Sequence, residues 1–246
     1  MKSFIPWIGG KSLLANKIVS MFPDHIDRYI EVFGGGASVL FAKENHTPFE
    51  VYNDANGQLV NLFRCIKFHR GELQKEISYW LNSHEMFEEI KQRIGMDGFT
   101  DIQRAAMFYV QIKISFGADT RSFGCNCKNL SADYLEQVEN RLKSGKGVVI
   151  EYKDFENLIQ VYDRPNSFFY CDPPYHKTEK YYNADFSEKD HKRLNAVLRA
   201  LKGRFILSYN DDEYIRALYK DFDIIPVERQ NNLSSGKFKE LIIKNY

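Results

Sequence analysis

The chain has 246 residues, 43% of them hydrophobic and 27% charged, with a formal net charge of +1. That length builds one large α/β domain, or a core domain carrying an insertion, and the composition is that of an ordinary globular protein. The near-zero charge excludes a global basic field, so any nucleic-acid surface must be a local patch.

The opening stretch, Met1 to Trp7, has no apolar core of the kind a secretion signal needs, and no apolar run reaches membrane-spanning length. No membrane association and a cytoplasmic location are the expectation. Of the four cysteines only Cys125 and Cys127 are close. C-x-C with no second Cys or His pair is not zinc spacing, so no metal is expected.

The first predicted strand is Tyr29 to Phe33, ending in Gly34-Gly35-Gly36, with a helix over 37–43. A second strand, Phe49 to Tyr52, closes on Asn53-Asp54. From about Gly57 to Lys143 the pattern is almost wholly helical, with Leu59, Leu62, Phe63 and Ile66 on one face. A loop rich in Gly, Ser and Asn, Ser115 to Ser131, interrupts it. Strands follow at 147–151, 167–171, 204–208, 223–227 and 238–244, with helices at 188–201 and 211–219. Alternating strands and helices predict an α/β fold with a helical insertion after the second strand.

Glycines after a strand let the backbone turn tightly and approach a ligand, and the helix that follows offers free amides. Asp54 stands about twenty residues on, at the end of the next strand, where a carboxylate can accept from ribose hydroxyls. No Gly-Lys-Ser/Thr is present in this turn, which argues against a triphosphate loop; S-adenosylmethionine (SAM) and a dinucleotide both remain open at this point. Asp172-Pro173-Pro174-Tyr175 follows the strand 167–171. Two prolines fix φ and end the strand. Their carbonyls lack neighbouring amide hydrogens, so acceptors point outward beside a carboxylate and an aromatic face. Such a set suits an exocyclic amine on a planar base, held for attack on a methyl donor.

Four motifs in order carry a family resemblance: Trp7-Ile8-Gly9-Gly10-Lys11, Glu31 to Ser38, Asn53-Asp54-Ala55-Asn56, and Asp172 to Tyr175. The chain resembles the Dam-type DNA adenine N6-methyltransferases of the α arrangement, over nearly its whole length. The resemblance implies a Rossmann-like, mostly parallel sheet with an antiparallel edge strand. It places the SAM-binding catalytic domain at 1–56 and 144–246, and a helical target-recognition insertion at 57–143. It implies methyl transfer from SAM to N6 of an adenine flipped out of duplex DNA. Trp7, Gly9 and Lys11 then line the SAM pocket, Lys11 near the cofactor carboxylate or the acceptor site. Glu31, Phe33 and Gly34 to Gly36 cradle the methionine end, Asp54 holds the ribose, and Asp154 with Phe155 contacts the cofactor adenine. Asp172 and the Pro173 carbonyl accept from the target N6, with Pro174 completing the turn and Tyr175 stacking on the base. Asp at the head of the motif favours adenine in DNA over RNA adenine, cytosine N4, or a DNA-binding module without catalysis.

The segment from Arg104 to Asn129 carries Arg104, Lys113, Arg121 and Lys128 against one acid, Asp119. It is the expected DNA grip, with Arg121 for a guanine edge and Lys113 and Lys128 for phosphates. Phe116 and Phe123 either wedge into the gap left by the flipped base or pack. Ser234 to Lys237 resembles a hairpin of the family that approaches DNA, giving Lys237 and Lys239 as phosphate contacts. A monomer acting on duplex DNA is expected, with a cognate restriction enzyme as a further partner. Pro6 stands where enzymes acting on GATC often have Lys, and the 115–131 loop is shorter than theirs. The recognition sequence, GATC included, stays unassigned.

Overall fold

In the computed structural model the described residues are 1–43, 46–125, 130–177, 186–230 and 237–246; the side chains of 229, 230 and 237 are not described. Among them lies a seven-stranded sheet in the order β3-β2-β1-β4-β5-β7-β6. The strands are β1 (Arg28–Glu31), β2 (Phe49–Asn53), β3 (Val148–Glu151), β4 (Ser167–Cys171), β5 (Arg204–Asn210), β6 (Asp223–Gln230) and β7 (Lys237–Lys244). Strands β3, β2, β1, β4 and β5 pair in parallel. The antiparallel element is the β6–β7 pair at one edge, in which β7 runs antiparallel to both β5 and β6 and β6 is outermost. The fold is α/β with the Rossmann-like sheet expected of a methyltransferase.

The chain order explains where a ligand can sit. β1 pairs with β2 on one side and β4 on the other, so connections leave β1 and β4 in opposite directions and open a crevice beyond their carboxyl ends. In register, Glu31 lies beside Tyr170, which brings the turn after β1 next to the loop after β4.

Side-chain alternation sends Tyr29, Tyr52, Phe168 and Tyr170 to one face and Ile30, Val51, Phe169 and Cys171 to the other. The second face is covered by α7 (Phe155–Tyr162), α8 (Glu188–Arg199) and α9 (Glu213–Leu218). The first is covered by α1 (Ala15–Val19), α2 (Ser38–Ala42), α3 (Gly57–Ser78), α4 (His84–Arg93), α5 (Asp101–Ile114) and α6 (Leu135–Lys143). The helical stretch 57–143 therefore shares one continuous core with the sheet. Phe63 of α3 is its hinge pin, stacked on Tyr52 at 4.0 Å and meeting Phe4 edge-on at 5.2 Å.

Helix starts follow local chemistry. Asn56 caps α3 by accepting from the Gln58 and Leu59 amides, and Thr100 with Gln103 forms a capping box on α5. The return of the chain to the sheet is fastened by a buried ionic group. Glu50 of β2 meets Lys43 at 2.5 Å and Arg141 of α6 at 2.7 Å. Burial alone would raise the Glu50 carboxyl, but the two cations hold it below its ordinary value. Among the described residues no helix is long and apolar enough to cross a membrane.

Candidate active site

A cleft of about 350 Å³ opens where β1 and β4 end. One wall is the glycine turn. Gly34 stands against the Tyr52 ring, where an added Cβ would come within 2.2 Å of it, and Gly35 has φ +49 and lies against Trp7. Any side chain at Gly34 would displace a ring packed on Phe63. The turn is tied from behind: Tyr52 Oη donates to the Gly35 carbonyl at 2.8 Å, and the Gly35 amide donates to Asp54 Oδ2 at 2.8 Å. Asp54 Oδ1 accepts from the Asn56 amide at 2.7 Å. Burial nonetheless lifts the Asp54 carboxyl above its ordinary value. Asn53 joins the neighbouring loops, donating to the carbonyls of Val32 and Lys153 and accepting from the Lys153 amide.

Glu31 projects from the end of β1 and is 1% exposed. Burial pushes its carboxyl up to about 8; the nearby Asp172 charge adds to this, while the Tyr29 hydroxyl and the Leu40 amide act against it. The Tyr29 bond is 2.6 Å long. Leu40 is in the first turn of α2, so Glu31 meets a helix amide that the nominal cap, Ala37, leaves without a side-chain partner.

Lys11 enters from the N-terminal turn and is 5% exposed. Its Nζ donates to the Gly9 carbonyl at 2.8 Å, stands 2.8 Å from Asp172 Oδ1, and lies 4.7 Å from the centre of the Tyr175 ring. Lys11 thus stands at the head of the Asp172 to Tyr175 turn. Tyr175 is buried and donates its hydroxyl to Glu240 of β7 at 2.8 Å. Burial, then the charges of Asp172 and Glu240, raise that phenol well above its ordinary value.

The far end of the cleft is aromatic. Phe155 faces Phe33 at 5.6 Å and Phe186 at 5.8 Å, with the Arg193 guanidinium over its ring at 4.3 Å. Asp154 caps α7 through the Glu156 amide and pairs with Arg193 at 2.6 Å.

Thus Trp7, Gly9, Lys11, Glu31, Phe33, Gly34, Gly35, Gly36, Asp54, Asp154, Phe155, Asp172 and Pro174 line one cleft, though they come from five separate parts of the chain. Pro173 and Tyr175 are not among its lining residues. The residues expected at DNA are placed differently. Phe116 is 64% exposed, and Arg121 and Lys239 are also exposed. Lys113 is half-buried, its Nζ 5.8 Å over the Tyr109 ring. Lys128 and residues 234–236 lie outside the described residues, as does the Lys237 side chain.

Two further residues of the 104–129 segment have contacts of their own. Arg104 is in the first turn of α5, bonded to the Phe99 carbonyl and paired with Asp101, so it stands apart from Lys113 and Arg121 at the far end of that helix. Phe123 packs, stacked on His84 at 5.3 Å and 5.9 Å from Phe87.

Sequence reasoning missed Arg193, Phe186, Phe108 and the segment Ala118–Thr120, all of which line the cleft. Arg193 belongs to no motif. The one available signal was the capping box of Ser187 and Asp190, which starts α8 and so aims Arg193, one turn on, toward Asp154. Ala118–Thr120 had no signal, because its backbone course depends on positive φ at Gly117, Ala118 and Thr120.

The carboxyl groups of Glu31, Asp54 and Asp172, a shielded ammonium and an aromatic end in one cleft can hold an elongated cation that carries hydroxyls and a flat ring, beside an acceptor for an amine. Comparison with known proteins agrees. A type II methyltransferase of Lactococcus lactis subsp. cremoris is 28% identical over all of this chain and 96% of its own. A type II methyltransferase of Paramecium bursaria Chlorella virus NC1A is 25% identical over the whole of both chains. The retron Ec67 DNA adenine methylase of Escherichia coli is 26% identical over 97% of this chain and 88% of its own. Residues 7–233, nearly the entire chain, match one family throughout, and the chain belongs to the D12 class N6 adenine-specific DNA methyltransferases.

Proposed function

We propose that the cleft binds SAM and presents its methyl group to N6 of an adenine flipped out of duplex DNA, with Asp172 as the acceptor for the amine. One observation carries this: Asp172 and the glycine turn with Glu31 and Asp54 face the same cleft from opposite ends of the sequence. The donor set fits the methyl donor. Glu31 and the turn 34–36 would hold its cationic amino-acid end, Asp54 its ribose, and Phe155 with Phe33 its adenine. When bound, SAM supplies an electrophilic methyl on a sulfonium.

The chain's own part is positioning and polarisation. Asp172 and the Pro173 carbonyl would accept hydrogen bonds from the adenine amine and aim its lone pair. Asp172 need not be a strong base, since the amine proton becomes acidic only as the new bond forms. Lys11 holds the Asp172 carboxylate in place. Tyr175 would offer its ring to the base once Lys11 moves off it.

Residues 57–143 would act as the target-recognition part, and 1–56 with 144–246 as the catalytic part. Arg121 and Phe116, exposed on the loop after α5, are assigned to base and stack contacts, and Lys113, Lys128, Lys237 and Lys239 to phosphates. Action as a monomer in the cytoplasm is proposed with it. The type II naming of two relatives supports a restriction enzyme as partner.

The test is methyl transfer from labelled SAM to duplex DNA and, separately, to RNA. Transfer to DNA adenine is expected, with loss on Asp172→Ala while the fold persists. Transfer to RNA alone, or normal turnover by Asp172→Ala, overturns the reading.

A further inference from the structure

Residues Asp172 to Lys177 form no regular element after β4 ends at Cys171. What holds His176 and Lys177 is a group that no sequence motif marked. Asp212, 11% exposed at the amino end of α9, stands 2.9 Å from His176 Nδ1 through Oδ1 and 2.8 Å from Lys177 Nζ through Oδ2. A carboxylate only accepts, so His176 Nδ1 carries the proton and donates. Asp212 Oδ1 also accepts the Tyr214 amide at 3.0 Å and so caps α9. Asn210 Nδ2 donates to the His176 carbonyl at 3.2 Å, and the His176 ring stacks on Tyr214 at 4.6 Å. The meeting follows from topology: β5 is the parallel neighbour of β4, so residues just past both strands share one edge.

We propose that Asp212 is a positioning residue for methyl transfer: by holding His176 and Lys177 it fixes the end of the Asp172–Lys177 loop, and with it the Asp172 carboxylate and the Pro173 carbonyl. The inference rests on the reading of that loop as the acceptor site. Prolines 173 and 174 have fixed φ, so few soft torsions separate His176 from Asp172, and a shift at one end reaches the other. A misplacement of about 1 Å at a reacting group costs on the order of 100-fold in rate. The exposed Lys177 contact adds little alone; the half-buried His176 contact carries most of the hold. None of His176, Lys177, Asn210 or Asp212 lines the cleft, so cofactor affinity should be indifferent to them.

The test compares single-turnover transfer to duplex DNA at saturating SAM with SAM affinity by calorimetry. Asp212→Ser keeps a cap for α9 but is too short to reach His176 and Lys177. Its rate should fall about 10- to 100-fold, with SAM affinity within about twofold. Asp212→Asn keeps the cap and an acceptor for His176, and should restore the rate to within about threefold. His176→Ala should match Asp212→Ser, and the double variant should lose no more than either alone. A wild-type rate in Asp212→Ser and His176→Ala overturns the inference. So does a rate loss in both that is matched by lost SAM affinity or lost folding. Failure of the unmodified protein to methylate DNA removes the acceptor-site reading and the inference together; normal transfer with indifferent variants removes the inference alone.

Discussion

The ammonium group of Lys11 lies 2.8 Å from the Asp172 carboxylate, with 5% and 15% of the two side chains exposed. The pair joins the turn before α1 to the loop after β4, and the same ammonium covers the Tyr175 ring. Lys11 therefore holds the Asp172 carboxylate and covers the Tyr175 ring, the two groups proposed to receive the target base. Lys11→Met keeps most of the stem and removes the charge. Transfer should fall by at least about 100-fold, because an electrostatic contact at the reacting group is lost. Leaving Asp172 without its cation should cost about 1–3 kcal/mol of stability, read from denaturant melts. A variant that transfers at the normal rate would remove Lys11 from the acceptor site.

Glu31 makes the site sensitive to pH. Its carboxyl is pushed up to about 8 by burial first and by Asp172 second, from an ordinary 4.5. Between those values the folded chain keeps a proton that the unfolded chain has lost. The stability this contributes is complete below pH 4.5 and is lost as pH rises through 8. Glu31→Gln stays neutral throughout, so its stability should decline less between about pH 5 and pH 8. A bound cation would favour ionised Glu31, so SAM binding near neutral pH should release protons. Calorimetry in buffers of different ionisation heat reads this directly. Equal proton release by Glu31→Gln would assign the effect elsewhere.

Asp54 places both oxygens on backbone amides, Oδ2 on Gly35 and Oδ1 on Asn56. It thus shapes the cleft wall in addition to its proposed role at the ribose. Asp54→Ala should weaken SAM binding about 10- to 100-fold, with a smaller effect on DNA binding. Asp54→Asn should fall between, since one amide oxygen replaces two carboxylate oxygens. An unchanged SAM affinity in the Ala variant would take Asp54 out of the site.

These residues also mark what a sequence can reveal. Gly34–Gly36, Asp54 and Asp172 were legible because each sits at a strand end, where topology decides its neighbours and a hydrophobic run reveals the strand. β4, Ser-Phe-Phe-Tyr-Cys, is buried along its whole length and reads as a strand without alternation. Arg193 was illegible, since its partner Asp154 is far away in sequence and helix spacing alone does not say which face meets the cleft. Asp119 and Thr120 lie in the basic segment expected at DNA, and nothing in the sequence assigns them to the cleft. Their place in the cleft wall follows from left-handed backbone at 117, 118 and 120, which Ala118 and Thr120 adopt against their preference. Asp212 falls inside the helix predicted over 211–219; the structure makes it the cap of α9, and only the fold brings His176 to it.

The loop after α5 holds the remaining prediction. The Phe116 amide donates to the Ser122 carbonyl at 2.8 Å, Ser115 bridges to Phe123, and Asp119 accepts from the amides of Arg121 and Ser122. Phe116 is thus held on a closed loop while 64% exposed, with exposed Arg121 on the same loop. Leaving a Phe in water forgoes about 2 kcal/mol of burial, which docking into an apolar gap would recover. A duplex with a flipped adenine has an apolar gap of that kind, beside base edges that suit Arg121. Phe116→Ala should slow transfer to a paired target by about tenfold, and by far less when the adenine sits opposite a mismatch, where the unpairing cost is already met. Arg121→Ala should weaken binding to both substrates by about 1–3 kcal/mol and relax the preference at the base it reads. Equal loss by Phe116→Ala on paired and mismatched targets would show that the ring acts on binding, not on extrusion.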